Sequence, residues 1–341
     1  VASHRRAGKT GLTQSNRITM LPAAAATAAV AFSIAPAAAE PQDTPAEVRS
    51  AVGRLHVEAE RATEKYHAAG ERYRRLSAEA GRLSDRVARG QERVNRLRGV
   101  LGSLAGAQYR AGGVDPAVRL LLSSDPDTYL DRAVTLNRIS ERQAGELRSL
   151  RRAQTELREE RARAASRIAA AERSRKAVSR HKRAVEARLA RAQRLLDSLG
   201  PEQRAEHRRA ARHGGRTEFP GGGTAASGRA AAAVAAARAA VGRPYVWGAT
   251  GPGSFDCSGL TYWSYQQAGV TLPRTSQAQR FAGRRVPLSE ARPGDLVTYR
   301  TDASHVGMYV GNGQIVHAPH PGAAVRYDPV GLMPNATVTR V

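Results

Sequence analysis

Cys257 is the only cysteine in the 341-residue chain, and its flanks define the chemistry open to it. It lies in Phe255-Asp256-Cys257-Ser258-Gly259-Leu260, behind a glycine-rich loop that follows Tyr245-Val246-Trp247-Gly248. A helix is expected from Cys257 to Ala268, with Leu260, Trp263 and Tyr265 available for burial and Gly269 as its stop. Ser254 or Asp256 stands where an N-cap belongs. A thiol in a first helical turn faces unpaired N–H groups and the positive end of the dipole. Both favour its anion and make it a nucleophile. A lone cysteine excludes an internal disulfide framework and a Cys-rich zinc site.

A thiol nucleophile needs a base, and the base needs an orienting partner. Six of the nine histidines precede Arg229, leaving His305, His317 and His320. His305-Val306-Gly307-Met308-Tyr309-Val310 alternates like a strand, Gly311-Asn312-Gly313 reads as a turn, and Gln314-Ile315-Val316-His317-Ala318 returns as a second strand. A three-residue loop pairs Val310 with Gln314 and Gly307 with His317. His305 and His317 then share one face on a diagonal of about 7–8 Å. A two-residue loop sends His317 to the other face. The small Gly307 leaves room for the His317 ring. His320 follows Pro319, outside the strand pattern, and ranks third.

The elements that must carry this chemistry occupy residues 230–341, where aromatics, glycines and β-branched runs concentrate. Everything before has a different grammar. From Val48 the apolar positions alternate steps of three and four: one series runs Val52, Ala59, Tyr66, Tyr73, Ala80, Val87, Val94 and Leu101, the other Val48, Leu55, Ala62, Ala69, Leu76, Leu83, Gly90, Leu97 and Leu104, with Gly90 the one gap in the seam. Such heptads predict a left-handed coiled coil. Breakers at Gly112-Gly113, Asp115-Pro116 and Asp125-Pro126 place a tip at about 111–128. A second helix from about Tyr129 to Leu199, with a thinner apolar stripe, folds back on the first. Residues 40–200 therefore read as an antiparallel helical hairpin, and residues 201–229, rich in glycine, as a flexible linker.

Residues 1–39 read as a secretory signal: a basic head, the small apolar stretch Leu21–Ala35, and Ala37-Ala38-Ala39 before Glu40. That stretch of about 15 residues is shorter than the ~20 needed to span a bilayer. The expectation is a secreted, extracytoplasmic protein cleaved after Ala39.

The chain carries a formal net charge of +24, and residues 40–213 hold 38 basic against 24 acidic side chains, or +14. The basic groups spread around the helices without interleaved aromatics, and export removes the chromosome as a partner. No nucleic acid is expected. Anionic wall polymers or lipid headgroups are the natural counter-charge for a peripheral contact. The apolar Val118–Leu122 patch at the tip either meets a partner or packs the turn.

The ordered blocks Tyr245–Gly248, Phe255–Leu260, Leu272-Pro273-Arg274-Thr275-Ser276, Arg292-Pro293-Gly294-Asp295-Leu296-Val297, His305–Gly311 and Ile315–Pro319 resemble the NlpC/p60 cell-wall cysteine peptidases over about 110 residues. The resemblance implies an α+β papain-like domain, with a helix-borne cysteine packed on an antiparallel sheet. It implies that Cys257 is the nucleophile, His305 the general base and His317 the residue orienting it. It places Tyr245 near the oxyanion, and Asp256 and Ser258 where relatives grip the amine or D-centre of a stem peptide. Ala249 stands where a second glycine is common, and Val297-Thr298-Tyr299 replaces a more apolar aromatic pair.

The implied enzyme is a peptidoglycan endopeptidase. Its target is an amide in wall stem peptides, typically D-γ-glutamyl to a diamino acid, and no metal or cofactor is required. The long N-terminal coil resembles that of relatives held inactive until a division-linked membrane complex engages it. Two other readings stay open: a coiled-coil scaffold whose last domain only binds wall peptide, and a thiol amidase or acyltransferase on another substrate.

Overall fold

The computed structural model describes residues 44–110, 112, 116–122, 129–213 and 223–341. The segment expected to be a secretory signal, residues 1–39, lies outside the described residues. Among these, no helix is long and apolar enough to cross a membrane.

Two long helices dominate the N-terminal half: α1 over Pro45–Arg110 and α3 over Tyr129–Asp197. Thr44 and Glu47 form a reciprocal cap at the start of α1, Thr44 N–H donating to Glu47 Oε2 at 2.7 Å. The heptad seam is the contact between the two. Val48 and Val52 pack with Ala192 and Leu199 at one end, and Val94 packs with Ala153 and Leu157 further along, so the helices are antiparallel. Gly90 does not break the seam, because the side chain of Leu157 fills the space beside it. A short helix, α2 (Pro116–Leu121), sits in the tip, and Leu121 and Leu122 are 73% and 79% exposed.

The expected linker is helical at its start. Its first part is helix α4 (Pro201–His213), and Ala211 near its end is buried. The reason lies in Pro201-Glu202, a favourable first helical turn, followed by a run of helix formers before His213-Gly214-Gly215.

The C-terminal half opens with α5 (Gly228–Ala239), capped by Ser227, whose Ala233 and Ala237 are fully buried against α6 (Cys257–Gln267). A one-turn helix, α7, covers Ser276–Gln279. The strands are β1 (Arg284–Val286), β2 (Leu296–Tyr299), β3 (His305–Gly311), β4 (Gln314–His317), β5 (Arg326–Pro329) and β6 (Thr337–Arg340). They form one antiparallel sheet in the order β1-β6-β2-β3-β4-β5. Leu296, Val306, Met308 and Val316 pack on the helices, while Val297, Tyr299 and Ile315 form a second apolar layer on the other face. The expected papain-like arrangement, a cysteine-bearing helix on an antiparallel sheet, is the one observed.

The β3–β4 hairpin reaches the expected register by a different route. Met308 pairs with Val316 and Tyr309 with Ile315, which sets Gly307 opposite His317. Yet Gly311 pairs with Gln314, so the loop is the two residues Asn312-Gly313, both at positive φ. A bulge at Val310 restores the phase that a two-residue loop alone would have inverted.

Candidate active site

Asp256 is the N-cap of α6, its Oδ1 accepting from Gly259 N–H at 2.7 Å. That cap puts Cys257 in the first helical turn, as expected. The thiol lies beside the start of β3, where the backbone N–H of Val306 reaches it. Gly259 is required here, because a Cβ would run into the carbonyl oxygen of Ala249.

His305, His317 and Asp328 form a chain across three strands. His305 Nε2 is 2.8 Å from His317 Nδ1, and His317 Nε2 is 2.8 Å from Asp328 Oδ2. Both rings are fully buried and meet edge to face. Arg326 Nε donates to the same Asp328 oxygen at 2.7 Å. The register explains the alignment: Arg326 is directly opposite His317 and Asp328 opposite Ile315, so Asp328 reaches His317 on the diagonal. Burial pushes His317 down to about 4 despite Asp328, so the ring is neutral at pH 7. Burial opposes ionisation of Asp328, but His317 and Arg326 outweigh it and hold its carboxyl below the usual range.

Tyr245 is buried in the same cluster as Cys257. Burial, and then the neighbouring thiol, push its hydroxyl well above the ordinary range. Asp256 Oδ2 accepts from Gly248 N–H at 2.8 Å and Arg274 Nη2 at 2.6 Å. Arg274 Nη1 also donates to Ser258 Oγ at 2.8 Å. Burial works against Asp256, yet Arg274 and His67 hold it down at about 2. His320 stands apart from His305 and His317, stacked on His56 of α1 at 5.0 Å between ring centroids.

One face of α1 closes this groove. Glu60 Oε1 lies 3.1 Å from His305 Nδ1, while its Oε2 accepts from Arg300 at 2.6 Å. Glu64 is hydrogen-bonded to Ser258 Oγ at 2.7 Å and to Ser276 N–H at 2.8 Å. His67 Nε2 is 3.0 Å from Asp256, Glu71 accepts from Arg274 N–H at 3.1 Å, and Tyr66 packs edge-on against Trp247.

This closure overturns one expectation, that of an accessible thiol whose ionisation is favoured by its helix. Cys257 is only 3% exposed. Burial, then the carboxylates of Glu64, Glu60 and Asp256, push the thiol well above its ordinary range and outweigh the helix end. Burial and Asp256 in turn raise Glu64 to about 8, so it holds a proton at pH 7.

The residues missed from sequence are Asp328, Arg274 and the α1 stripe. Asp328 sits in a four-residue strand ending in Pro329, with no alternation to betray its face. The stripe did leave a trace: His56, Glu60, Glu64, His67 and Glu71 recur at steps of three and four with no arginine, on a helix otherwise dense in arginine.

Residues 242–336 match the NlpC/P60 family. A Mycobacterium tuberculosis protein named a probable endopeptidase is 49% identical over 105 residues, which are 31% of this chain and 27% of that one. A Corynebacterium glutamicum protein of the same description is 46% identical over 107 residues, 31% of this chain and 51% of its own length. Thus the chain spans about a quarter to a half of these relatives. The solved structure of the peptidoglycan hydrolase RipB from Mycobacterium tuberculosis is 34% identical, covering 33% of this chain and 64% of that one, with a TM-score of 0.31. The ordered motifs, the helix-borne cysteine on an antiparallel sheet and the family match together identify residues 242–336 as an NlpC/P60 family domain.

Proposed function

We propose that this protein is a peptidoglycan endopeptidase acting outside the cytoplasmic membrane, and that its coiled coil holds it in a closed form. The observation that carries the reading is the placement of a helix-borne thiol at the start of β3, whose His305 is hydrogen-bonded to His317. In the open form the Cys257 thiolate attacks the carbonyl carbon of a stem-peptide amide, D-γ-glutamyl to a diamino acid. Backbone N–H groups at the start of α6 and the Tyr245 hydroxyl receive the oxyanion. His305 gives a proton to the leaving amine as the C–N bond breaks. Water then attacks the thioester with His305 as base, releasing the acid and restoring the thiol. Asp256 and Ser258 grip the amine or D-centre of the stem.

The closed form is supported by Glu60, Glu64 and His67, which occupy the partners that substrate would need. Opening would come from a division-linked membrane complex engaging the exposed leucines of the tip. The basic surface of the coil suits a peripheral contact with anionic wall polymer or lipid.

The test is digestion of defined muropeptides by the full chain carrying Glu60→Ala and Glu64→Ala, with products identified by mass. Cleavage at the γ-glutamyl amide, lost on adding Cys257→Ala or His305→Ala at unchanged helix content, is the expected result. Cutting by the Cys257→Ala protein would sink the mechanism. A product of another mass would assign the thiol to amidase or acyl-transfer chemistry.

A further inference from the structure

We propose that Asp328 is a positioning residue that sets the tautomers of both imidazoles, leaving Nδ1 of His305 as the nitrogen that exchanges a proton during the reaction. The inference rests on the reading of His305 as the base, and it adds a fourth member behind His317.

The argument is one of donors and acceptors. An ionised carboxylate only accepts, so the 2.8 Å contact at Asp328 Oδ2 requires the proton of His317 on Nε2. A neutral imidazole with a proton on Nε2 has a bare Nδ1, which only accepts. The nitrogen facing it at 2.8 Å, His305 Nε2, must therefore donate. That fixes one proton of His305 on the side away from the reaction, and Nδ1 remains as the position that gains and loses the other. In the closed form Glu60 occupies this nitrogen.

The surroundings hold Asp328 to this role. It is 5% exposed, and Arg326 donates to the oxygen that receives His317 while its Nη1 donates to the carbonyl of Ala211 on α4. Arg326 thereby keeps the carboxylate charged and immobile. Without an acceptor at this place His317 is free to carry its proton on Nδ1. That proton would point at His305 Nε2, force the His305 proton onto Nδ1, and disable the base. The wrong tautomer of a base costs a thiol or serine hydrolase several orders of magnitude in rate.

The test is two-bond ¹H–¹⁵N correlation of the histidine rings in the full chain, with His317 assigned through its substitution by Gln. The wild-type protein is expected to show His317 with its proton on Nε2 and a bare Nδ1. A wild-type His317 protonated on Nδ1 overturns the proposal without any variant. Asp328→Leu, which removes the acceptor, is expected to shift His317 toward the Nδ1 form. Asp328→Asn keeps an oxygen that both Arg326 and His317 can reach, and is expected to retain the wild-type tautomer. An unchanged spectrum in a folded Asp328→Leu protein would also overturn it.

With Glu60→Ala and Glu64→Ala present, kcat is expected to fall about 100-fold or more in Asp328→Leu and far less in Asp328→Asn. Equal kcat in the two would overturn the role. The spectra do not depend on peptidase activity, so failure of the proposed function and failure of this assignment are separate results.

Discussion

The Glu60 carboxylate, carried by the coil, lies 3.1 Å from Nδ1 of His305, a residue 245 positions later in the chain. Burial opposes the charge on Glu60, but His305 and Arg300 outweigh it and keep the carboxyl below its ordinary range. A carboxylate only accepts, so Nδ1 must donate to it. With Nε2 donating to His317, the His305 ring holds both its protons and has no lone pair for another. The same carboxylate helps keep the proton on Cys257. Closure therefore disables the proposed base and the proposed nucleophile together, beyond covering them.

Thiol reactivity reports this directly. Cys257 of the intact protein is expected to react slowly with iodoacetamide at pH 7.5, and Glu60→Ala with Glu64→Ala to react at least tenfold faster. Removing one partner of a buried ion pair costs about 3 kcal/mol, roughly a 100-fold shift toward the open form. Alkylation rates that match between the two proteins would remove α1 as the cause of closure.

Acidification should loosen the same contact through His56. Burial, then His320, push His56 down to about 4, and Glu60 and His207 also face it beside a cavity of about 540 Å³. A released His56 binds its proton near pH 6.5, whereas the docked one refuses it until about 4. Its contribution to the closed form is present above pH 6.5 and is lost as pH falls toward 4, up to about 3 kcal/mol. Glu64 acts in the opposite sense: its docked value of about 8 favours closure below pH 4.5 and is lost as pH rises through 8. Hydrogen exchange in residues 48–80 isolates the histidine. Between pH 6.5 and 4.5 the two groups nearly cancel in the wild type, so protection should fall over that interval in Glu64→Gln, and fall less when His56→Phe is added.

Gly259→Ala should destabilise the C-terminal domain by about 3 kcal/mol, because backbone on both sides prevents relief of the clash with Ala249. Melting should drop by about 10 °C or more. Gly253, with open space around its Cβ position, is the control, and Gly253→Ala should stay within about 0.5 kcal/mol. Equal melting temperatures for the two variants would contradict the packing described.

Gly307→Ala tests the hairpin. Its Cβ would lie 3.2 Å from Cβ of His317 and 3.0 Å from Cδ1 of Ile315, so the β4 side chains must give way by a few tenths of an ångström. With the α1 glutamates removed, kcat should fall on the order of tenfold while stability drops by only about 1 kcal/mol. An unchanged kcat would mean the His305–His317 contact tolerates displacement.

Much of the chemistry was legible because it is local. The cap, the first-turn cysteine and the glycine that follows it belong to one short motif. Strand alternation combined with a three-residue loop predicts His305 and His317 on one face; the loop has two residues, and the shared face is reached only because the bulge at Val310 makes up the difference. The α1–α3 seam was equally legible, since two repeating helices mark each other with a repeating apolar stripe.

Tertiary structure alone decided what faces those groups. Asp328 reaches His317 through a strand pairing across the loop 318–325, and no period in Arg326-Tyr327-Asp328-Pro329 announces it. The arrival of Glu60, Glu64 and His67 at the thiol was hidden for a related reason. A heptad is visible because burial of apolar side chains recurs along the helix. A polar face gains its meaning only from the particular partners set opposite it, and those partners, the donors Arg300, Ser258 and Ser276 and the acceptor Asp256, are brought there by the folded domain.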